Sequence, residues 1–261
     1  MAGLDWLIAR PVAHRGLHDA QKGVIENTPS AFAAAIAGGY GIECDLQISA
    51  DGEAMVHHDD VLGRLTAGDG RLDALMAAEL KRIPFNATGD RMITLTELCE
   101  LVAGRTPLVI ELKSRFRGDL GVVGHAAKVL AGYRGPVALM SFDPAQIAAA
   151  REITPQLPRG LVAESPRLLR GGVQAFDAVR DAVAFFVQAL HARPQFIAYS
   201  VSDLPATLMT VTRKGLGLPL LTWTVRTADQ RRTAERYADQ MIFEGFRPKL
   251  ALLTTMIDVR P

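Results

Sequence analysis

The segment Gly41-Ile42-Glu43-Cys44-Asp45-Leu46-Gln47-Ile48 is a short, largely apolar run with acids at alternate positions. Side chains two residues apart on a β-strand point to the same face of the sheet. We therefore expect Glu43 and Asp45 to face together, with Cys44 turned the other way against covering helices. The run is typical of a buried parallel strand, here one that presents two carboxylates in one direction.

Similar apolar runs recur along the 261 residues and alternate with helical patterns. The other strand candidates are Pro11–His14, Leu108–Lys113, Val137–Phe142, Arg159–Ala163, Phe196–Ser200, Leu220–Val225 and Gln240–Phe243. The helix candidates are Ser30–Ala37 after Thr28-Pro29, Glu97–Ala103 after Thr96, Ala145–Glu152 after Asp143-Pro144, and Ala228–Ala238 after Thr227. Strands alternating with helices in this number predict an α/β fold, the (β/α)8 TIM barrel, which holds about 250 residues. A doubly wound open sheet is the alternative, because periodicity does not detect closure of a sheet.

One part of the chain breaks this alternation. Ala50-Asp51-Gly52-Glu53 separates Ile42–Ser49 from Ala54–His58, which predicts a β-hairpin because Asp-Gly tolerates positive φ. The mixed segment Val61–Met92 follows, and we interpret it as a small insertion after the second strand, over one mouth of the barrel. Residues 1–261 are predicted to form a single barrel domain that contains this insertion.

The composition excludes several classes of protein. The chain is 49% apolar and 22% charged, with a formal net charge of +1, which excludes a disordered chain, a broad basic face for nucleic acid and a polybasic membrane anchor. Its longest apolar stretches, around Ala31–Ile42 and Ala182–Ala192, fall short of the about 20 residues that span a membrane. The first residues lack a secretory signal pattern. Cys44 and Cys99 are expected to be reduced thiols in a cytoplasmic protein.

Reactive side chains concentrate near the carboxyl ends of the predicted strands, where barrel enzymes place their catalytic groups. His14 ends the first strand, His58 ends the hairpin, and Glu111 and Lys113 share one face of a later strand. Taken singly, such an acid is also compatible with a solvated strand edge, and such a histidine with a structural role. Their joint occurrence is what indicates a site. The remaining histidines that we considered, His18, His57, His125 and His191, are interpreted as structural.

Three converging acids would place strong demands on their surroundings. Two carboxylates about 4 Å apart repel by roughly 1 kcal/mol in water and about 4 kcal/mol at an effective dielectric of 20. Glu43, Asp45 and Glu111 therefore need a cation or protons, and oxygen ligands favour Mg²⁺ or Ca²⁺ over Zn²⁺. With Arg15 and Lys113 beside a divalent cation, the site would suit a phosphate ester. The two histidines supply an acid and a base near neutral pH.

A longer pattern resembles the glycerophosphodiester phosphodiesterase family. Order, spacing and residue types agree over about the first 66 positions, and the later agreement is sparser. The matching runs are Ala13-His14-Arg15-Gly16, Glu26-Asn27-Thr28, Gly41–Leu46, Ser49-Ala50-Asp51-Gly52, Val56-His57-His58-Asp59-Asp60, Arg64-Leu65-Thr66, Ile110-Glu111-Leu112-Lys113, Ser141-Phe142 and Thr222-Trp223-Thr224-Val225.

The resemblance implies a TIM barrel that cleaves small-molecule glycerophosphodiesters to glycerol 3-phosphate and an alcohol with one divalent cation. By this resemblance, His14 and His58 form the acid–base pair. The metal ligands would be Glu43, Asp45 and Glu111. The substrate-binding residues would be Arg15 and Lys113 at the phosphate, Glu26 orienting Arg15, and Trp223 lining the mouth, although a core tryptophan is nearly as compatible with that last position.

The chain also departs from the family pattern. Arg226 stands where the family usually carries Asn, Met241–Pro248 replaces the usual Gly-x-x-Thr-Asp-x-Pro pattern, and Ile93 replaces a Pro. Two other functions therefore stay open. One is a phospholipase-type enzyme acting on intact lipid, with Phe85, Phe243 and Phe246 as members of an apolar rim. The other is a non-catalytic barrel that binds phosphodiesters. Head-group preference, the choice of metal, the acid and base roles, the attacking group and homo-oligomerisation are not decided by the sequence.

Overall fold

A computed structural model describes residues 3–165, 187 and 189–250 of the chain. In this part the strands are β1 Val12–Ala13, β2 Gly41–Ile48, β3 Ala54–Val56, β4 Leu108–Leu112, β5 Val137–Ser141, β6 Arg159–Ala163, β7 Phe196–Ser200, β8 Leu220–Val225 and β9 Gln240–Phe243. Every strand except β3 pairs in parallel with its neighbours, in the order β1-β9-β8-β7-β6-β5-β4-β2. Because β1 also pairs with β2, the sheet closes. The predicted TIM barrel is confirmed, and the open-sheet alternative is wrong.

The described α-helices surround this barrel. They are α1 Asp5–Ile8, α2 Pro29–Ala37, α3 Ala77–Leu80, α4 Leu95–Val102, α5 Gly121–Leu130, α6 Pro144–Ile153, α7 Thr207–Lys214 and α8 Ala228–Tyr237. Helices α1, α3, α5 and α7 were absent from the sequence candidates. None of the helices that the structure describes has both the length and the apolar character needed to cross a membrane. The stretch Ala182–Ala192 lies mostly outside the described residues.

The predicted helix starts hold in three cases and need correction in one. The side chains of Asp143 and Thr227 accept hydrogen bonds from backbone N–H groups of the first helical turn, as expected of N-caps. Helix α4 is capped by Thr94, which forms a capping box with Glu97, so the assignment to Thr96 was two residues late. Helix α2 begins with Pro29 directly after Thr28, as predicted, but the Thr28 hydroxyl donates to the Ile25 carbonyl at 2.7 Å and does not cap the helix.

The two faces of β2 pack as its alternation predicts. Ile42, Cys44 and Leu46 are fully buried in the apolar layer between the sheet and the helices. Glu43 and Asp45 face the barrel interior, where the layer below them is apolar and includes Val109, Met140, Val162 and Ile242. Apolar burial stabilises a barrel by about 25 cal/mol per Å², so this interior holds the strands rigidly beneath the carboxylates.

Strand β3 pairs antiparallel with β2 and completes the predicted hairpin. The chain that follows contains a 3-10 turn at Leu72–Ala74 and helix α3, and it buries its own small core against the barrel. That core consists of Ile25, Met55, Leu62, Leu72, Leu80, Phe85 and Met92. Phe85 is 4% exposed, so it is a core residue of the insertion and the proposal of an apolar rim at this position is wrong.

Candidate active site

Three buried carboxylates meet where β2 and β4 end. The parallel register places Asp45 opposite Glu111, and Glu43 lies two positions before Asp45 on the same face. Glu43, Asp45 and Glu111 each offer one carboxylate oxygen, and these oxygens lie within 4.8 Å of one another. The strand register thus turns residues far apart in sequence into one oxygen-rich cluster.

Burial and mutual repulsion separate the pKa values of these acids. Burial, together with the charges of its acidic neighbours, raises the pKa of Glu43 well above its ordinary value. Burial also raises the pKa of Glu111. Burial alone would raise the pKa of Asp45 too, but the cations Lys113 and Arg15 outweigh it and hold the pKa below its ordinary value. Without further positive charge, Glu43 and Glu111 therefore hold a proton more readily than Asp45 does.

Lys113 and Arg15 supply the positive charge of the site. The Lys113 ammonium contacts Asp45 Oδ1 at 2.8 Å and Glu111 Oε1 at 2.7 Å. The Arg15 guanidinium lies 3.2 Å from Asp45 Oδ2 and donates to Glu26 Oε1 at 2.6 Å. Glu26 thus contacts Arg15 in the way that the resemblance implied. These cations are placed to meet an anionic ligand above the carboxylates.

The backbone at Arg15 is shaped for this arrangement. Arg15 has φ of 54°, and its N–H donates to Glu43 Oε2 at 2.9 Å. The following Gly16 has φ of 80°, and a Cβ there would lie 2.8 Å from the Cβ of Ala31. Only glycine allows the chain to turn so close to α2 at this point. The His14-Arg15-Gly16 sequence is thereby explained as a turn that directs Arg15 into the site.

His14 lies at the end of β1, beside these carboxylates. Its Nδ1 contacts Glu244 Oε2 at 2.8 Å, and its Nε2 lies 3.9 Å from Glu43 Oε2. Burial lowers the pKa of His14. The neutral imidazole that results at neutral pH is the form that can accept a proton.

His58 lies two residues after the end of β3, not on the strand as predicted, and it lines the same cavity as Glu43 and Glu111. Its Nδ1 contacts Asp59 Oδ1 at 2.7 Å. Asp59 in turn accepts from Arg64 Nε at 2.6 Å. Burial lowers the pKa of His58 as well. Both predicted catalytic histidines thus carry a carboxylate on Nδ1 that is also bound by an arginine, since Arg226 donates to Glu244 as Arg64 does to Asp59.

These groups surround a cavity of about 180 Å³. Its lining is His14, Arg15, Glu43, His58, Glu111, Lys113, Met140, Phe142, Val162, Trp223 and Ile242. Trp223 donates its indole N–H to the Ala198 carbonyl at 3.1 Å and packs edge-on against Phe142. The Trp223 ring therefore offers the cavity an apolar surface, and the site combines one charged wall with one apolar wall.

A second cavity of about 350 Å³ adjoins the first. The two cavities share His58 and Lys113 in their linings. The larger one is lined mainly by polar and charged side chains, among them Asp59, Asp60 and Arg115. A ligand whose central anion binds at Lys113 therefore has room on both sides.

The acids fit a divalent metal by their donor chemistry. All three ligands are carboxylates, the set that hard cations such as Mg²⁺ and Ca²⁺ prefer. Burial makes three ionised acids unfavourable here without a bound cation, and it raises the pKa of Glu43 and of Glu111. Glu43, Asp45 and Glu111 are thus suited to hold one such ion together.

Several residues of the site were not among the site residues predicted from the sequence. Asn27 donates to Asp45 Oδ2 at 2.8 Å, and Asp59 and Arg64 support His58. All three lie within the matched runs, so closer reading of those runs would have found them. Glu244 is different, because only closure of the barrel brings it to His14. His18, interpreted as structural, lies 4.0 Å from Glu244 Oε2.

Comparison with known proteins gives the same class that the site suggests. A model of the glycerophosphoryl diester phosphodiesterase family matches residues 14–244, and the chain belongs to this family. A glycerophosphodiester phosphodiesterase of Caldanaerobacter subterraneus subsp. tengcongensis is 32% identical over 161 residues, which cover 58% of this chain and 65% of that protein. A probable glycerophosphodiester phosphodiesterase 1 of Mycobacterium tuberculosis is 28% identical over 217 residues, which cover 74% of this chain and 77% of that protein.

Solved structures agree on the fold. A phosphodiesterase of Oleispira antarctica, determined with the product sn-glycerol-3-phosphate, has a TM-score of 0.74 at 21% identity and covers 90% of this chain and 92% of that one. A crystal structure described as a putative glycerophosphoryl diester phosphodiesterase, from Silicibacter pomeroyi, has a TM-score of 0.72 at 25% identity, with 90% of this chain and 89% of that one covered. The barrel is therefore an architecture that this chain shares with phosphodiesterases of known structure.

Proposed function

We propose that this protein hydrolyses glycerophosphodiesters to glycerol 3-phosphate and an alcohol, with a divalent cation and with His14 and His58 as the acid–base pair. The observation that carries the proposal is the convergence of two histidines, three carboxylates and two cations around one cavity. Family membership supports the same reaction. The Oleispira structure, whose ligand is sn-glycerol-3-phosphate, supports the product class.

In this proposal the substrate phosphate binds between Arg15 and Lys113. A divalent cation held by Glu43, Asp45 and Glu111 would neutralise charge on the phosphodiester. Arg15 keeps its orientation through Glu26, and Lys113 through Asp45 and Glu111. One histidine takes a proton from the attacking oxygen, and the other gives a proton to the leaving alkoxide. Water or the glycerol 2-hydroxyl can serve as the attacker.

The two adjoining cavities support a diester as the substrate. A phosphodiester carries an organic group on each side of the phosphate, and Lys113 and His58 border both cavities. The apolar wall formed by Trp223 and Phe142 suits the carbon chain of one group, and the charged cavity leaves room for a polar alcohol. A phosphomonoester would leave one of the cavities empty.

The structure weighs against the apolar rim expected of a phospholipase. Phe85 and Phe243 are 4% and 1% exposed, and Phe246 packs against the core through Phe243. We therefore propose water-soluble diesters, rather than lipid in a bilayer, as the substrates. A cytoplasmic location is proposed on the two unpaired cysteines, which suit a reducing compartment.

Release of glycerol 3-phosphate from a panel of glycerophosphodiesters tests the function. We expect turnover with Mg²⁺ or Ca²⁺, loss of turnover with EDTA, and recovery when the metal is restored. Phospholipid vesicles, followed by release of the head-group alcohol, should be turned over slowly, and faster turnover of vesicles would favour the phospholipase instead. Calorimetric binding of a glycerophosphodiester without turnover, in the presence of metal, would contradict hydrolysis and identify a binding protein.

A further inference from the structure

Two departures from the family pattern contact each other at His14. Glu244 belongs to the altered segment after β9, and Arg226 follows β8 where the family usually has Asn. A single oxygen, Glu244 Oε2, lies 2.8 Å from His14 Nδ1 and 2.9 Å from an Arg226 guanidinium nitrogen. The two departures from the family pattern are thus in direct contact with each other and with His14.

Barrel closure determines this contact. The His14 N–H donates to the Phe243 carbonyl at 2.9 Å, and the Glu244 N–H donates to the Val225 carbonyl at 3.0 Å. Residues 14, 226 and 244 therefore follow the carboxyl ends of three adjacent strands, β1, β8 and β9. The barrel framework therefore fixes the backbone at these residues and brings the carboxylate beside the imidazole.

The contact defines which nitrogen of His14 carries the proton. Burial alone would raise the pKa of Glu244, but hydrogen bonds from His14 and Arg226 lower it to about 2. An ionised carboxylate accepts hydrogen bonds and cannot donate one, so His14 Nδ1 must be the donor. In the neutral imidazole, Nε2 then has a free lone pair, and this atom lies 3.9 Å from Glu43 Oε2, on the side of the metal-ligand candidates.

We propose that Glu244, anchored by Arg226, is a positioning residue that keeps the proton of His14 on Nδ1 and directs Nε2 toward the reacting phosphodiester. Its effect on turnover rests on the proposed function, whereas the position of the proton does not. Orientation of a histidine by a carboxylate on its other nitrogen is the arrangement that fixes tautomers in hydrolases with a histidine base. Arg226 keeps the carboxylate ionised and holds it in one orientation.

Kinetics of Glu244→Ala test the effect on the reaction. We expect kcat to fall about 10- to 100-fold, the usual range for losing a hydrogen-bonded supporting group, while KM stays close to the wild-type value. Glu244→Asp should recover part of the rate, because it restores a carboxylate. Glu235→Ala is the matched control, since Glu235 forms a similar pair with Arg231 at 2.8 Å on the exposed side of α8. Full kcat in Glu244→Ala would refute the positioning role even if the wild type is an active phosphodiesterase.

NMR of protein labelled with ¹⁵N-histidine tests the proton position directly. The His14 signals are identified by their absence in His14→Ala, and we expect the neutral wild-type ring to show protonated Nδ1 and unprotonated Nε2. In Glu244→Ala the form with protonated Nε2 should become populated. Glu244→Leu, whose side chain has no hydrogen-bond acceptor, serves as the second variant if the alanine variant does not fold. A wild-type ring protonated on Nε2, or an unchanged tautomer in both variants, would overturn the proposal. This result is independent of whether any glycerophosphodiester is hydrolysed.

Discussion

His14 and His58 share a chemical arrangement but obtain it from different parts of the fold. Each places Nδ1 against a carboxylate that also binds an arginine: Glu244 with Arg226 for His14, and Asp59 with Arg64 for His58. The first set spans 230 sequence positions and depends on closure of the barrel. The second set lies within the hairpin and the start of the insertion. The His14 side chain is 12% exposed and that of His58 is 32% exposed.

This difference shows which part of the molecule controls each histidine. The barrel framework holds His14, so only changes at three adjacent strand ends should disturb it. His58 depends on the insertion, because Arg64 of the insertion binds Asp59, the partner of His58. Arg64 also binds Glu26 Oε1 at 2.7 Å, and Glu26 holds Arg15. A change in the insertion should therefore affect both His58 and the phosphate-binding Arg15. The two sets are equivalent only if matching substitutions in them change turnover by the same factor.

Removal of either imidazole should give the largest effect. His14→Ala and His58→Ala are each expected to lower kcat by about 10²-fold or more, the usual size of a general acid–base contribution. Release of glycerol 3-phosphate measures the change. His125→Ala is the control, since His125 contacts Glu53 and the backbone of Ala54, outside the lining of both cavities. Wild-type activity in one histidine variant would remove that residue from the mechanism and end the comparison.

Loss of the local carboxylate should have a smaller effect. We expect Asp59→Asn to lower kcat by about 3- to 10-fold, less than Glu244→Ala, because water can replace a partner of the more exposed His58. The same product assay, with both variants side by side, measures the difference. Asp19→Asn is the control, since Asp19 pairs with Lys22 on the surface. An effect of Asp59→Asn that equals or exceeds that of Glu244→Ala would show that the hairpin holds its histidine as firmly as the barrel does.

The sequence predicted the two histidines more easily than their partners, and the reason is physical. Period-two alternation and strand ends indicate where Glu43, Asp45 and Glu111 point, so their cluster could be predicted and the structure places them together. Asp59 lies next to His58, within reach of local reasoning. Glu244 was not connected to His14, because a predicted barrel places the last strand beside the first but alternation alone does not show that this carboxylate meets the imidazole.

Core positions show a related limit. Phe85 and Phe243 were considered for an exposed rim, since an aromatic side chain near a strand end suits either a rim or a core. The insertion buries Phe85. Phe243 is buried in the layer between the sheet and the helices, where its ring centroid lies 4.9 Å from that of Tyr40. Periodicity identifies the face of a strand, whereas burial also depends on what the rest of the chain packs against that face.

The two arginines should have smaller effects that differ in kind. Arg226→Ala should lower kcat by about 2- to 5-fold, because a half-exposed ion pair contributes at most about 1 kcal/mol. Arg64→Ala should instead raise KM, since Arg64 also supports Glu26 and through it Arg15. Steady-state kinetics separate the two parameters, with Arg232→Ala on the surface of α8 as the control. If Arg64→Ala leaves KM unchanged, the insertion does not support phosphate binding.

The smallest effect is on the stability of the fold in acid. It distinguishes the contribution of the Glu244 charge from the contribution of its packing. Its folded-state pKa of about 2 lies below the ordinary value of 4.5, so the carboxylate stabilises the fold above pH 4.5 and loses this contribution as the pH falls toward 2. Because the side chain is 23% exposed, we expect a contribution of about 1–2 kcal/mol, less than the full shift would give.

Urea unfolding of the wild type and Glu244→Gln measures this contribution at pH 7, 4 and 3. The free energy of unfolding should differ between the two proteins at pH 7, and the difference should shrink at the lower values, because glutamine does not titrate. Glu235→Gln is the control, because it removes a carboxylate from an exposed ion pair on helix α8, close to Glu244 in the sequence. A difference that stays constant between pH 7 and pH 3 would mean that the loss of packing, rather than of the ion pairs with His14 and Arg226, destabilises the variant. Glu244 would then support His14 by packing alone, and the ion pairs among Glu244, His14 and Arg226 would not contribute to stability.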